Sequence, residues 1–373
     1  MTNHPLWNLS LAARLGLLKP GTQRIAFLYP QPDVGTFRYR AFNPVEAINN
    51  HSAQKSASYF FLSDLRAIDD LSAFADVLVV VRVPFDGPLE RLYRKFRHQG
   101  KKIYFDIDDL VFNPEFAPLV ATNLGYHQLE GDHLNQWTAF MTNIGKALSK
   151  ADAVTTTHSF LAERIREFTD NPVHIFSNSL NAAQLEVCSR LSSDQGRQGS
   201  LRIAYFSGSP SHSLDFDVAR HGITRFLHES PDSSLTVVGH LGLSSELRAL
   251  GSRIRSLPFM DFLAMQELLA TCDVNIVPLQ RSVFTHSKSE LKYFEAAAAS
   301  TITLASRSPL FSQVITHGTN GMLANADEWA EVLHDLSALD VANRSSIAQA
   351  AKDHAEATYS PSALLTQLEA IFG

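Results

Sequence analysis

Four short stretches of the chain carry side chains whose types and spacing suit chemistry. The first is "SKSELKYFEAAAAS", residues 287–300. Ser287-Lys288-Ser289-Glu290 has the Ser-x-x-Glu form of a capping box, which predicts a helix beginning at Lys288 and unpaired backbone N–H groups around Ser287 to Ser289. Lys288 and Lys292, one turn apart, add two positive charges beside that end, a seat for a diphosphate. Glu295 shares their face, and a carboxylate there can accept paired hydrogen bonds from the vicinal hydroxyls of a sugar or ribose. The alternative is an ordinary Lys292–Glu295 surface pair worth about 0.2–0.5 kcal/mol.

The second stretch is "LRIAYFSGSPSHSLDF", a strand that ends near Ser207 and yields to a helix near Asp215. Gly208 lets the backbone approach a ligand closely, and Ser207 and His212 offer donors at the strand's carboxyl end. A plain loop with an exposed histidine reads equally well. Third is "KKIYFDIDDLVF", with Asp106, Asp108 and Asp109 where a strand opens into a loop. Clustered carboxylates repel unless cations or donors meet them. Hydroxyl or base recognition, loop capping, and a Mg²⁺ or Mn²⁺ site all fit, although alternation sets Asp109 apart from the other two. Fourth is "DVGTFRYRAFNP", in which Gly35 marks a loop and Arg38 and Arg40 point the same way if extended, toward an anion. Solvated arginines are the alternative there.

These stretches need elements to hold them. Short β-branched runs alternate with helical patterns from Arg24 onward, which predicts parallel sheets with crossover helices. The connecting "DGPLERLYRKFRHQGKK" has Pro88 in its first turn, apolar residues at Leu89, Leu92, Tyr93 and Phe96, and a stop at Gly100. Residues 186–200 break the pattern with a polar linker. The expected fold class is α/β: two Rossmann-like, doubly wound domains at 22–185 and 201–355, facing each other across a cleft at the strands' carboxyl ends. Residues 356–373 predict one further helix. Residues 1–21 predict a short amphipathic helix through Trp7, Leu11, Leu15 and Leu18, read as a piece packed on the next domain, the tail of a preceding module, or a membrane-surface foot.

A chain of 373 residues with 19% charged residues and a net charge of −6 is ordinary for a globular protein and too long for one comfortable core. Its basic residues form no long run, so no nucleic-acid partner is expected. Cys188 and Cys272 form no disulfide framework or metal-ligand pair, which suits a reducing, cytoplasmic setting. No apolar run approaches the roughly 20 residues needed to cross a bilayer.

Taken in order, "FDIDDLVF", "ADAVTTTHSFLAERI", "RIAYFSGSPSHSLDF", "CDVNIVPL", "KSELKYFEAAAAS" and "GTNGML" followed by "EW" resemble glycosyltransferases of family 4, in their divergent bacterial, surface-polysaccharide form. The resemblance runs from about Arg24 to Trp329. It implies the GT-B fold, a nucleotide-sugar donor held by the second domain, and a glycan or lipid-linked acceptor met by the first. It also implies retention at the anomeric carbon without a metal cofactor, and it is compatible with peripheral association with a membrane or an assembly complex. Glu295 matches the glutamate that binds the donor ribose, Gly208 the glycine near the donor phosphates, and Lys288 the basic segment facing them. Leu257–Phe262 takes the place of the nucleobase-recognising segment. The resemblance assigns acceptor positioning to Asp106 and Asp108 with the Gly35–Arg40 loop. Ser287 stands where many relatives have a second glutamate. That departure leaves open a non-catalytic sugar-nucleotide-binding or scaffolding relative, beside a sugar-nucleotide epimerase; a GT-A enzyme using the aspartates as a metal site would not explain two βα halves.

Overall fold

The computed structural model describes residues 4–68, 70–124, 132–191, 198–208 and 212–373. The β-branched runs pair into two parallel sheets. The first contains β1 (Gln23–Tyr29), β2 (Lys55–Phe61), β3 (Val77–Val81), β4 (Lys102–Asp106), β5 (Ala153–Thr156) and β6 (Val173–Ile175), in the order β2-β1-β3-β4-β5-β6. The second contains β7 (Arg202–Ser207), β8 (Ser234–Gly239), β9 (Ile254–Leu257), β10 (Val274–Val277), β11 (Ile302–Ser306) and β12 (Met322–Ala324), in the order β12-β11-β10-β7-β8-β9. Helices cover both faces, so central strands such as β3 and β11 are buried along their whole length, as continuous apolar runs require. These are the two Rossmann-like domains of a GT-B fold.

In each sheet the strand order reverses once, between β1 and β3 and between β7 and β10. Neighbouring connections diverge there and leave a crevice at the carboxyl ends of the strands. The crossover helices pack on the sheets through one apolar face. In Gly87–His98, Asp86 caps the first turn by accepting from the Leu89 N–H, and Leu89, Leu92, Tyr93 and Phe96 go into the core. The opposite face carries Arg91, Arg94, Lys95 and His98, all exposed, at the same three- and four-residue spacing.

Three segments tie the domains together. The final helix, Pro361–Phe372, follows the second-domain helix Val341–Tyr359 and then buries Leu364, Leu365, Leu368 and Phe372 in the first-domain core. The N-terminal pattern splits into a 3-10 turn, Pro5–Trp7, and a helix, Leu11–Gly16, capped by Ser10. Arg14 turns inward onto Asp64 (2.5 and 2.9 Å), so this segment packs on the first domain and does not direct its charge outward.

The third segment corrects a sequence expectation. Ser287 does not begin a helix; it ends the helix Val283–His286, its Oγ donating to the Val283 carbonyl at 2.8 Å, and the next helix is Leu291–Ala298 with Glu290 at its N-cap. Tertiary docking overrides the capping pattern. Val283 and Phe284 pack into the first-domain core, and the Ser282 Oγ donates to Asn123 Oδ1 at 3.0 Å. Residues 282–290 are therefore a plug set into the other domain. The helix Ala182–Arg190 extends into the expected linker, and residues 192–197 lie outside the described residues.

Candidate active site

The two crevices face each other and enclose a cleft of about 760 Å³, within the range of small-molecule sites. Its first-domain wall begins after β1. Asp33 folds the loop by accepting from the Gly35 N–H (2.8 Å), the Phe37 N–H (3.1 Å) and the Tyr29 hydroxyl (2.6 Å), which leaves Gly35 at the cleft. The chain then winds into a wide helical turn, Arg38–Phe42, so Arg38 and Arg40 diverge where an extended loop would have aligned them.

Arg40 is fully buried. Its Nε and Nη2 pair with Asp106 (2.9 and 2.6 Å), and Asp106 also accepts from Thr155 Oγ1 at 2.7 Å. Neither Arg40 nor Asp106 lines the cleft. Asp106 is still paired in the sheet with Val81 and Thr155, so its side chain points into the helical layer and not off the strand's end. The acceptor-binding and catalytic roles expected of Arg40 and Asp106 give way to holding β4, β5 and the Arg38–Phe42 turn together.

Asp108, two residues on, does reach the cleft, accepting from Thr36 Oγ1 (2.8 Å) and Arg82 Nη1 (3.2 Å). Asp109 pairs instead with Lys288 Nζ at 2.8 Å. The three aspartates thus meet three different cations, and among the described residues no group of His, Cys, Asp and Glu is arranged to hold a metal ion. Arg82 directly follows β3 with φ of 50°, a backbone conformation that costs a non-glycine residue about 1–3 kcal/mol. Burial works against its charge, but Asp108, Asp109, Tyr29 and Asp33 together raise its pKa.

The second-domain wall starts where β7 ends. The Ser207 Oγ donates to the His240 carbonyl, and Gly239, with φ of +89°, lets the end of β8 close on it: a Cβ there would lie 2.2 Å from the Ser207 oxygen. Ser207 is thereby buried, while Gly208 is exposed at the cleft with open space where a Cβ would be. His212 heads the next helix, but its side chain lies outside the described residues.

From the helix Leu291–Ala298, Lys292 reaches back to this wall and donates to the Phe206 carbonyl at 2.9 Å. Burial lowers its pKa to about 8, with Asp215 and Glu295 partly restoring it. Lys288 and Ser289 also line the cleft, Ser289 accepting from Asn178 Nδ2 at 2.9 Å. Ser287 is fully buried behind them. Its carbonyl accepts from His158 Nε2 at 3.2 Å, and burial lowers the pKa of that histidine.

Glu295 is buried at the junction of the two walls. One carboxylate oxygen accepts from Arg38 Nη2 (3.0 Å), from the Tyr39 hydroxyl and from Gln184 Nε2 (3.3 Å). The Arg38 guanidinium lies 4.2 Å from the Tyr39 ring and 4.2 Å from the Phe262 ring, and its buried Nη1 has no hydrogen-bond partner among the described residues. The cleft therefore joins Gly35, Arg38, Asp108, Ser207, Gly208, Lys288, Ser289 and Glu295, and leaves out Arg40, Asp106 and Ser287. Sequence reasoning missed Arg82, Tyr39 and Gln184. Arg82 had a usable signal, a polar residue just past a wholly apolar strand.

A molecule of this shape belongs, by fold, with the GT-B proteins. Residues 203–339, a little over a third of the chain, match the model of the family described as Glycosyl transferases group 1. No curated protein matches. Among solved structures, a glycosyltransferase from Rickettsia africae is similar with a TM-score of 0.64 and 13% identity, over 94% of this chain and 98% of that one. Anabaena HepE, solved with UDP and glucose, has a TM-score of 0.59 and 14% identity over 94% and 99%. Staphylococcus aureus TarM, solved with UDP, has a TM-score of 0.54 and 13% identity; the match covers 80% of this chain but spans only 55% of the length of TarM. Identities this low speak for the shared fold alone.

Proposed function

We propose that this protein is a glycosyltransferase that moves a sugar from a nucleotide-sugar donor to a hydroxyl of a glycan or lipid-linked acceptor. The observation that carries the proposal is the second-domain crevice: bare backbone at Gly208, the Lys292 ammonium beside it, and Glu295 on the same helix, all at the β7–β10 switch point. Its neighbours in fold were solved with UDP, UDP-glucose or UDP with GlcNAc, which supports a nucleoside diphosphate as the ligand class. Lys292, Lys288 and the first turn of Leu291–Ala298 would stabilise the charge that builds on phosphate as the diphosphate departs.

The proposed reaction retains configuration and uses no metal. The bond from the anomeric carbon to the diphosphate breaks, the acceptor oxygen bonds to the same face, and the acceptor proton passes to the departing phosphate oxygen. Asp108, held by Arg82 and Thr36, faces the acceptor side and orients its hydroxyl. Glu295 holds the donor ribose with the carboxylate oxygen opposite the one that Arg38 grips. A second reading, a non-catalytic sugar-nucleotide binder, is favoured by Ser287 and by the three protein donors already on Glu295.

The proposed setting is the cytoplasm, with peripheral attachment to a bacterial membrane engaged in polysaccharide assembly. The Arg91, Arg94, Lys95 and His98 stripe supports attachment to an anionic surface, because six of the chain's 32 Lys and Arg fall within residues 90–102 against one acid, Glu90. Among the described residues no helix is long and apolar enough to cross a membrane. The test is nucleotide release from a panel of UDP-, GDP-, ADP- and dTDP-sugars with and without EDTA. Donor-specific turnover that survives EDTA supports the transferase, and tight donor binding with no turnover on any acceptor supports the binder.

A further inference from the structure

The segment Leu257–Phe262 borders the cleft through Phe259, Met260 and Phe262, and its own domain holds it through Leu257, which pairs with Val238, and Met260, both packed on the second-domain core. It begins with the last residue of β9, which is the edge strand of the second sheet among the described residues. Its far end, Asp261 and Phe262, also packs against residues 4–7 from across the domain boundary. His4 Nδ1 accepts from the Leu6 N–H at 3.3 Å, so the ring proton is on Nε2, which lies 3.1 Å from Asp261 Oδ2. Trp7 stacks on Phe262 (centroids 6.0 Å apart, 11° between planes), and His4 lies 5.0 Å from the same ring.

The other end of this contact is anchored in the first domain. Trp7 is only 2% exposed, meets Phe37 and Phe42 edge-on at 5.6 and 5.3 Å, and its carbonyl accepts from the Tyr59 hydroxyl at 2.9 Å. Phe262 in turn carries the Arg38 guanidinium, which grips Glu295. One line of contacts therefore runs from His4 and Trp7 through Phe262 and Arg38 to the proposed ribose ligand, crossing between domains at each step. Phe259, 44% exposed, is left as a large aromatic surface at the rim of the cleft.

We infer that residues 4–7 are a clasp that positions the Leu257–Phe262 loop, with His4 and Trp7 as positioning residues for the base end of a bound nucleotide. The inference rests on the nucleotide reading of the cleft. The phosphate end is built from other elements, Gly208, Lys288 and Lys292, none of which touches the clasp. Loosening the clasp should therefore weaken recognition of the base while sparing recognition of phosphate. A general loss of packing would weaken both.

The test compares the whole chain with His4→Ala, Trp7→Leu and Asp261→Asn, the last keeping a side-chain oxygen for the cap on Leu263. Amide hydrogen exchange of residues 257–263 should quicken in each variant with the β7–β10 strands unchanged. Affinity for UDP or GDP should fall about tenfold, the scale of re-ordering one or two side chains on binding, while affinity for inorganic pyrophosphate stays the same. Unchanged exchange in the loop, or equal weakening of nucleotide and pyrophosphate, overturns the clasp. If the unaltered protein binds pyrophosphate but neither nucleotide, the nucleotide reading fails, and the exchange data alone decide whether residues 4–7 hold the loop.

Discussion

The two walls of the cleft are charged in different ways. On the first-domain wall Arg82 pairs with Asp108, Arg38 meets Glu295 and Asp109 meets Lys288 across the gap, and the buried Arg40–Asp106 pair braces the wall from behind. On the second-domain wall the Lys292 ammonium donates to the Phe206 carbonyl and lies 5.5 Å from the Tyr205 ring centroid, near Gly208, which has open space where a Cβ would be. The first wall is a framework of ion pairs and hydrogen bonds that orders its loops. The second holds a desolvated cation, the group that the proposed diphosphate would meet.

That contrast can be broken most severely at the framework. Asp106→Ala leaves Arg40 buried and unpaired, so stability to denaturant should fall by about 3–5 kcal/mol. The corresponding change at the partly exposed Asp108 should cost far less stability and act on turnover. Phe284→Ala removes the plug's aromatic from the first-domain core, with an expected loss of about 3–5 kcal/mol. Differential scanning calorimetry should then show two transitions in place of one, because the plug couples the domains.

Smaller effects belong to the ligand wall. Lys292→Met removes a hydrogen bond to a charged group and should weaken nucleoside diphosphate binding by about 1.5–3 kcal/mol with little change in melting temperature. Because burial has lowered the Lys292 pKa to about 8, the free protein loses that charge as pH rises through 8. Affinity should accordingly decline above pH 8 in the parent protein, with proton uptake on binding, and the Lys292→Met variant should lack this decline. The smallest effect is expected on the outside. Arg94→Glu with Lys95→Glu should reduce binding to vesicles containing anionic phosphatidylglycerol by about 1 kcal/mol for each Lys or Arg removed from the surface, and by more with the reversed sign; vesicles of neutral phosphatidylcholine should show no difference.

Much of this frame was legible in the sequence, since continuous apolar runs separated by amphipathic, capped helices admit few arrangements besides two parallel sheets. Gly208 reaches the cleft by the same logic of strand ends, and Glu295 by sharing a helix face with Lys292, whereas Lys288 reaches it from the segment before that helix and not from a helix start. What could not be read was whatever depended on the other domain. The Ser287-x-x-Glu290 pattern is a sound local cap signal, yet Phe284 gains more by entering the first-domain core than the helix would gain from an earlier start. Arg38 and Arg40 would align in a strand and diverge in a helical turn, and nothing within "GTFRYRAF" decides between the two. Asp106 and Asp108 differ in role because sheet pairing continues through the first and stops before the second.

The most direct test of the account is calorimetric titration of UDP, GDP, ADP and dTDP into the parent protein and Lys292→Met at pH 7 and pH 9. The account predicts binding of at least one nucleoside diphosphate by the parent at pH 7, tenfold or more weaker at pH 9 or in the variant. Binding that is indifferent both to pH and to Lys292, or no binding of any of the four, would contradict the assignment of the second-domain crevice to a diphosphate.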